Sequence, residues 1–155
     1  MEAVKAFDRE WKKQNSWDFL MSRVCKILFS LCGAGLMFIP VEKNDWHSFV
    51  WSLILLVWAM HFQIRPYMRY TEEGSEVSIY EKLKWMPVSR KDIFKVRREY
   101  LAKFCLKVGA VTLALQQIGA CLSHSWEIFN LLAPVALAIL LFLLGIFDID
   151  RNLRR

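Results

Sequence analysis

Residues 77–104 read VSIYEKLKWMPVSRKDIFKVRREYLAKF, the long polar stretch of an otherwise apolar chain. Ser78 and Glu81 have the S-x-x-E spacing of a capping box, which predicts a helix from Ile79. Ile79, Leu83 and Met86 then fall at i, i+4 and i+7, one apolar stripe on a short helix. Pro87 closes it, because the residue before a proline avoids the α region. Ser89, with Asp92 three residues on, starts a second helix. That helix carries Ile93, Val96 and Tyr100 on one side and runs directly into apolar sequence. A short amphipathic helix, a Pro-Val-Ser corner and a basic helix entering a membrane have the layout of a docking element.

Outward from this centre lie two pairs of membrane-length apolar runs. The first pair occupies 19–64. Its leading run is free of charge for fifteen residues, 27–41, short for a ~30 Å hydrocarbon core. Arg23 and Lys26 restore the length if they snorkel to the interface. Gly33, Ala34 and Gly35 form a small patch suited to close helix packing, and Gly33 and Gly35 are the expected contact with another helix or a second copy. Pro40 ends the run. Five residues connect it to the second, 46–64, so the two form an antiparallel hairpin. His61 reads as an interfacial side chain near the inner end of that run. The second pair occupies 104–147. Gln116, Gln117 and Asn130 are polar groups at membrane depth; they line a substrate path or hydrogen-bond one helix to another. Pro134 removes a backbone bond four residues after Asn130.

Both ends are charged. Residues 1–18 place Val4, Phe7 and Trp11 at helical spacing among Lys5, Asp8, Arg9, Lys12 and Lys13, an amphipathic helix for the membrane surface. A solvated, half-ordered terminus is the other reading of that stretch, and Asn15 or Ser16 is placed to cap the helix that follows. A cleaved signal peptide fits poorly, since the charged leader is long and contains acids. Residues 148–155 form a basic tail. Of the 21 Lys and Arg, 20 fall in 1–26, 65–107 and 151–155, and only Lys43 lies opposite. The positive-inside rule then predicts four spans with both termini and the segment 65–103 in the cytoplasm of a cell inner or plasma membrane.

Composition supports an all-α polytopic membrane protein. Hydrophobic residues make up 55% of 155 residues, and the mean hydropathy is +0.26. The net charge of +6 is segregated from the apolar runs, so it argues for topology and not for nucleic acid. Cys25, Cys32, Cys105 and Cys121 include no C-x-x-C and read as small hydrophobes. There is no P-loop, no H-E-x-x-H and no G-x-S-x-G. The spans hold no mid-membrane acid or base, which argues against a proton-coupled exporter and an intramembrane protease. No catalytic residue, cofactor site or metal site is expected.

The segment IYEKLKWMPVSRKDIFKVR, 79–97, resembles the cytoplasmic loop of ABC-2-type ABC transporter permeases. That loop reads E-x-L-x-x-L-P-V-S-R-x-[DE]-I before the helix entering the third span. Glu81, Leu83, Met86, Pro87, Val88, Ser89, Arg90, Asp92 and Ile93 stand at those positions. The resemblance implies that residues 79–104 dock a separate ATP-binding subunit, with Ile79, Tyr80, Glu81, Leu83, Lys84, Trp85, Met86, Pro87, Ser89 and Arg90 at the contact. It implies that ATP hydrolysis belongs to that partner, and that residues 1–18 correspond to an interfacial elbow helix. Typical permeases of this kind have six spans where this chain has room for four, so a second copy or another membrane subunit is expected. The other reading is an accessory, immunity or regulatory membrane protein that recruits or modulates an ABC ATPase.

Overall fold

The computed structural model describes residues 2–38, 46–72, 75–78, 88–124 and 127–154, without the side chains of 69–72, 75–78 and 154. Among the described residues five α-helices follow one another: α1 (Glu2–Gln14), α2 (Ser16–Leu36), α3 (His47–Ile64), α4 (Arg90–Leu122) and α5 (Phe129–Arg154). The last four are long and apolar enough to cross a membrane. A 3-10 turn, Arg65–Tyr67, closes α3 and leads into two short strands, β1 (Arg69–Glu72) and β2 (Ser75–Ser78). They pair antiparallel with Tyr70 opposite Val77, an aromatic and a β-branched residue of high strand propensity. The pairing is a small addition to a helical protein.

The connections of the two expected hairpins, residues 39–45 and 125–126, lie outside the described residues. α2 and α3 pack together along their length, as do α4 and α5, and α3 touches both pairs. Close approach is achieved with glycine at named points. A Cβ on Gly33 would stand 2.8 Å from Leu56 Cγ and 3.2 Å from the Ser52 carbonyl oxygen. Ser52 Oγ donates to the Gly33 carbonyl at 2.7 Å, and Ser22 Oγ donates to the Phe62 carbonyl. On α4, a Cβ at Gly119 would lie 2.0 Å from the Phe38 carbonyl oxygen. Backbone passes backbone there with no room for a side chain.

One run of buried residues links the elements: Val4, Leu56, Met60, Ile64, Ile93, Val96, Leu101, Leu137, Leu141, Ile149 and Leu153. Two of these correct sequence expectations. The tail after Phe147 is not a separate polar piece, because α5 continues to Arg154. Ile149 and Leu153, one helical turn apart, are buried and carry the apolar face onward. The predicted cap between α1 and α2 also does not form, since Asn15 makes no side-chain cap bond to α2. Its amide turns back to the Trp11 carbonyl at 3.4 Å. The predicted amphipathic helix is α1, and its apolar stripe is covered by protein. Val4 is fully buried, and Phe7 and Trp11 pack against the same core.

Candidate functional site

The head of α4 is built as its sequence suggests. Ser89 has extended backbone and accepts a bond from the Asp92 amide at 3.1 Å. Its hydroxyl donates to Asp92 Oδ2 at 2.7 Å, and that bond holds the Asp92 carboxyl below its usual range. The capped N-terminus relieves one of the four orphan amides. From there α4 runs unbroken for 33 residues, roughly 50 Å at 1.5 Å per residue. A hydrocarbon core is ~30 Å thick, so the turns preceding Phe104 stand outside the span.

Those outer turns are fastened to the rest of the protein. Arg97 is 2% exposed and Asp8 is 4% exposed. Arg97 Nη1 donates to Asp8 Oδ2 and Nη2 donates to Asp8 Oδ1 at 2.8 Å. Nη2 also donates to the Tyr67 carbonyl at 3.0 Å. The guanidinium carbon lies 5.0 Å from the Tyr67 ring centroid and 5.8 Å from that of Tyr100. One side chain thereby joins α1, the turn after α3 and α4. Arginine alone supplies this combination, since a planar fork can bond a carboxylate at two points and lie over aromatic faces at once. A half-exposed bridge flanks it: Glu99 meets Lys103 at 2.7 Å and Lys5 at 3.0 Å. Hydrogen bonds from Lys103 and Lys5 bring the Glu99 carboxyl down to about 2.

The sequence-predicted site residues divide into three groups. Of the docking set, Ser89 and Arg90 begin α4, both exposed at its head. Ile79, Tyr80, Glu81, Leu83, Lys84, Trp85, Met86 and Pro87 lie outside the described residues, as does the predicted helix 79–86. Ser78 is described as the last residue of β2. The packing pair splits. Gly33 is filled from within the chain by Leu56, whereas Gly35 has open space where a Cβ would stand. Gly33 therefore serves the α2–α3 seam and has no room for a second copy.

The polar trio is brought together. Gln116 Nε2 donates to Asn130 Oδ1 at 3.2 Å, and Gln117 Nε2 donates to the Asn130 carbonyl at 3.1 Å. Pro134 explains the second bond. Proline has no N–H to offer the carbonyl four residues earlier, and the Gln117 amide on α4 donates to that Asn130 oxygen. At membrane depth a neighbouring helix re-satisfies a carbonyl released by proline in this way. Of the two readings of the trio, the geometry is that of helix-to-helix bonding. Gln116 Oε1 is buried without a hydrogen-bond partner among the described residues.

His61 packs edge-on to Trp58 and Phe62. It borders a polar cleft with Arg65, Asp148, Arg151 and Asn152. All four cysteines are free, and no cluster of three or more metal-binding side chains occurs among the described residues.

The ion pair was missed by sequence reasoning, though a signal exists. Asp8 falls four residues after Val4 and three before Trp11, so an acid interrupts an apolar stripe. Arg97 falls four residues after Ile93 and interrupts another. No family model, no curated protein and no solved structure matches the chain.

Proposed function

We propose that the protein is the permease-type membrane subunit of an ABC transporter, docking a separate ATP-binding subunit through residues 79–104. The observation that carries this reading is the continuity of α4. It starts at Arg90, capped by Ser89 of the permease-like motif, and reaches Leu122 without a break. A push on its head is transmitted along a rigid rod into the span. Asp8 and Tyr67 hold the rod through Arg97, so α1 and the end of α3 move with it. ATP hydrolysis is the partner's chemistry; this chain converts closure of the partner into displacement of helices. The basic end of the bundle is then cytoplasmic, and both termini with it.

The polar trio favours a second reading. Gln116, Gln117 and Asn130 are engaged with one another, which leaves these spans few polar groups to line a path. A chain that recruits or modulates an ABC ATPase without transporting needs no such lining. Reconstitution separates the two. The protein and its co-purifying ATPase are placed in liposomes, and ATP hydrolysis is measured against candidate substrates. Stimulation by a substrate that also accumulates across the bilayer supports the permease. A constant rate modulated only by the presence of this chain supports the accessory. A protein that carries no ATPase through gentle solubilisation refutes both.

A further inference from the structure

A second cleft lies at the basic end, between α1, α2 and the end of α3. Its volume is about 300 Å³, and Lys12, Arg23 and Lys26 line it with Ser22, Gln63 and the rings of Phe19, Phe62 and Tyr67. No carboxylate lines it among the described residues. Lys26 Nζ donates to the neutral Gln63 Oε1 at 2.9 Å, and its charged neighbours are Arg23, Lys107 and Lys12. Three cations from two helices therefore line one cleft, with no carboxylate in its wall among the described residues. Like charges held together in this way leave a strong positive field that an anion would neutralise. The cleft bordered by His61, Arg65 and Arg151 differs, because Asp148 lines it too.

Depth identifies the class of anion. α3 starts at His47, and Gln63 lies sixteen residues further on, roughly 24 Å at 1.5 Å per residue. That is close to the thickness of a hydrocarbon core, so Gln63 sits near the phosphate level of one leaflet. Lys26 starts deeper, but helical side chains tilt toward the N-terminus, and its ammonium reaches Gln63. On α2, Leu20, Val24 and Ile27 each follow by one residue a member of the cleft wall, and all three are exposed. An occupant with an anionic head and apolar chains meets both surfaces; a soluble anion meets only one.

We propose that Lys12, Arg23 and Lys26 form a binding site for the phosphate headgroup of one anionic phospholipid in the leaflet at the basic end. The lipid would cement α1 to the α2–α3 hairpin, with the phosphate between the three cations and the acyl chains along α2.

The test uses the full chain in a neutral detergent, incubated with phosphatidylglycerol or with phosphatidylcholine of the same acyl chains, and native mass spectrometry. One phosphatidylglycerol should be retained in preference to phosphatidylcholine. Lys12→Gln, Arg23→Gln and Lys26→Gln should each lower retention roughly fivefold, the effect of one cation near an anionic surface. Arg23→Lys should keep most of it, and Arg151→Gln at the other cleft should change nothing. Equal retention of the two lipids overturns the proposal, and so does a loss no larger than that from Arg151→Gln. Displacement of phosphatidylglycerol by inorganic phosphate would show a soluble anion to be the occupant and overturn the lipid assignment. If Lys26→Gln does not fold, Lys12→Gln, on α1 outside the spans, decides the matter.

Discussion

Asp8 and Arg97, 89 residues apart in sequence, form a two-point ion pair almost wholly removed from solvent. A buried pair costs desolvation on both sides, so its net worth against an apolar pair is small. Losing one partner is another matter, because the survivor stays buried and uncompensated. Asp8→Asn or Arg97→Met alone should destabilise the protein by about 3–5 kcal/mol. The double variant should recover part of that loss. Thermal unfolding in detergent, followed by helix content, reads the cycle. A double-variant loss equal to the sum of the two single losses would show that the pair does not act as a unit. Arg97→Lys should behave closer to Arg97→Met than its charge suggests, since an ammonium cannot reproduce the fork or its placement over Tyr67 and Tyr100.

Gln117 and Pro134 make a second cycle. Gln117→Leu removes the donor to the Asn130 carbonyl and should cost about 0.6–1.7 kcal/mol, the range of hydrogen bonds between membrane helices. Pro134→Ala restores a backbone N–H to that carbonyl. In a Pro134→Ala background Gln117→Leu should therefore be nearly neutral. Undiminished cost there would mean that Gln117 matters for something other than the proline, and the substrate-path reading would regain ground.

Glycine positions predict opposite outcomes on two helices. Gly119→Ala places a methyl against the Phe38 carbonyl, and backbone cannot give way as a flexible side chain can. Gly33→Leu collides with Leu56 and the Ser52 carbonyl. Both should lower yield and unfolding temperature. Gly35→Leu should fold normally, because nothing lies within 4 Å of its missing Cβ. If a second copy packs on this side of α2, only Gly35→Leu reports it, as a shift toward monomer on a sizing column with unchanged helix content.

The four helices were legible because each contains a long, largely apolar run. The cap at Ser89 was legible because Ser and Asp three residues apart act locally. The ion pair was hidden for the opposite reason. Arg97 is one cation among several in a basic segment, and although Asp8 interrupts an apolar stripe, nothing local pairs the two across 89 residues. The continuation of α5 was hidden by composition: FDIDRNLR looks polar, and only its helical period shows that Ile149 and Leu153 share a face. Gly33 was recognised as a packing residue, but one sequence cannot say whether the helix it meets belongs to the same chain.

Topology is open to a direct measurement. In a variant lacking the four native cysteines, single cysteines at Asn44, Ser75 and Ser125 are treated with a membrane-impermeant thiol reagent from outside the cell. Asn44 and Ser125 should react, and Ser75, at the start of β2, should not. Reaction at Ser75 alone would invert the protein and remove the cytoplasmic docking argument.

The docking reading stands or falls on residues 79–86. If this segment is a helix seated in a groove of an ATP-binding subunit, Ile79, Leu83 and Met86 are its anchors, with Tyr80 and Trp85 adding aromatic area. Glu81, Lys84 and Arg90 sit at the rim and set register more than affinity. Each buried anchor is worth roughly 1.5–3 kcal/mol by apolar transfer, and a carboxylate in its place adds the cost of burying a charge. Leu83→Asp with Met86→Asp should therefore abolish co-purification of the ATPase, while unfolding temperature stays near that of the unaltered protein. If the stripe instead lies on lipid headgroups, the same variant weakens membrane-surface attachment of the segment and leaves the ATPase bound. Retention of the ATPase at its original level would end the docking hypothesis and confine the permease likeness to a local run of residues. A separate variant, Arg97→Met, sharpens the distinction between docking and transmission. It leaves residues 79–90 untouched, so the ATPase should still bind, but its substrate stimulation should fall because the head of α4 is no longer tied to α1 and the end of α3.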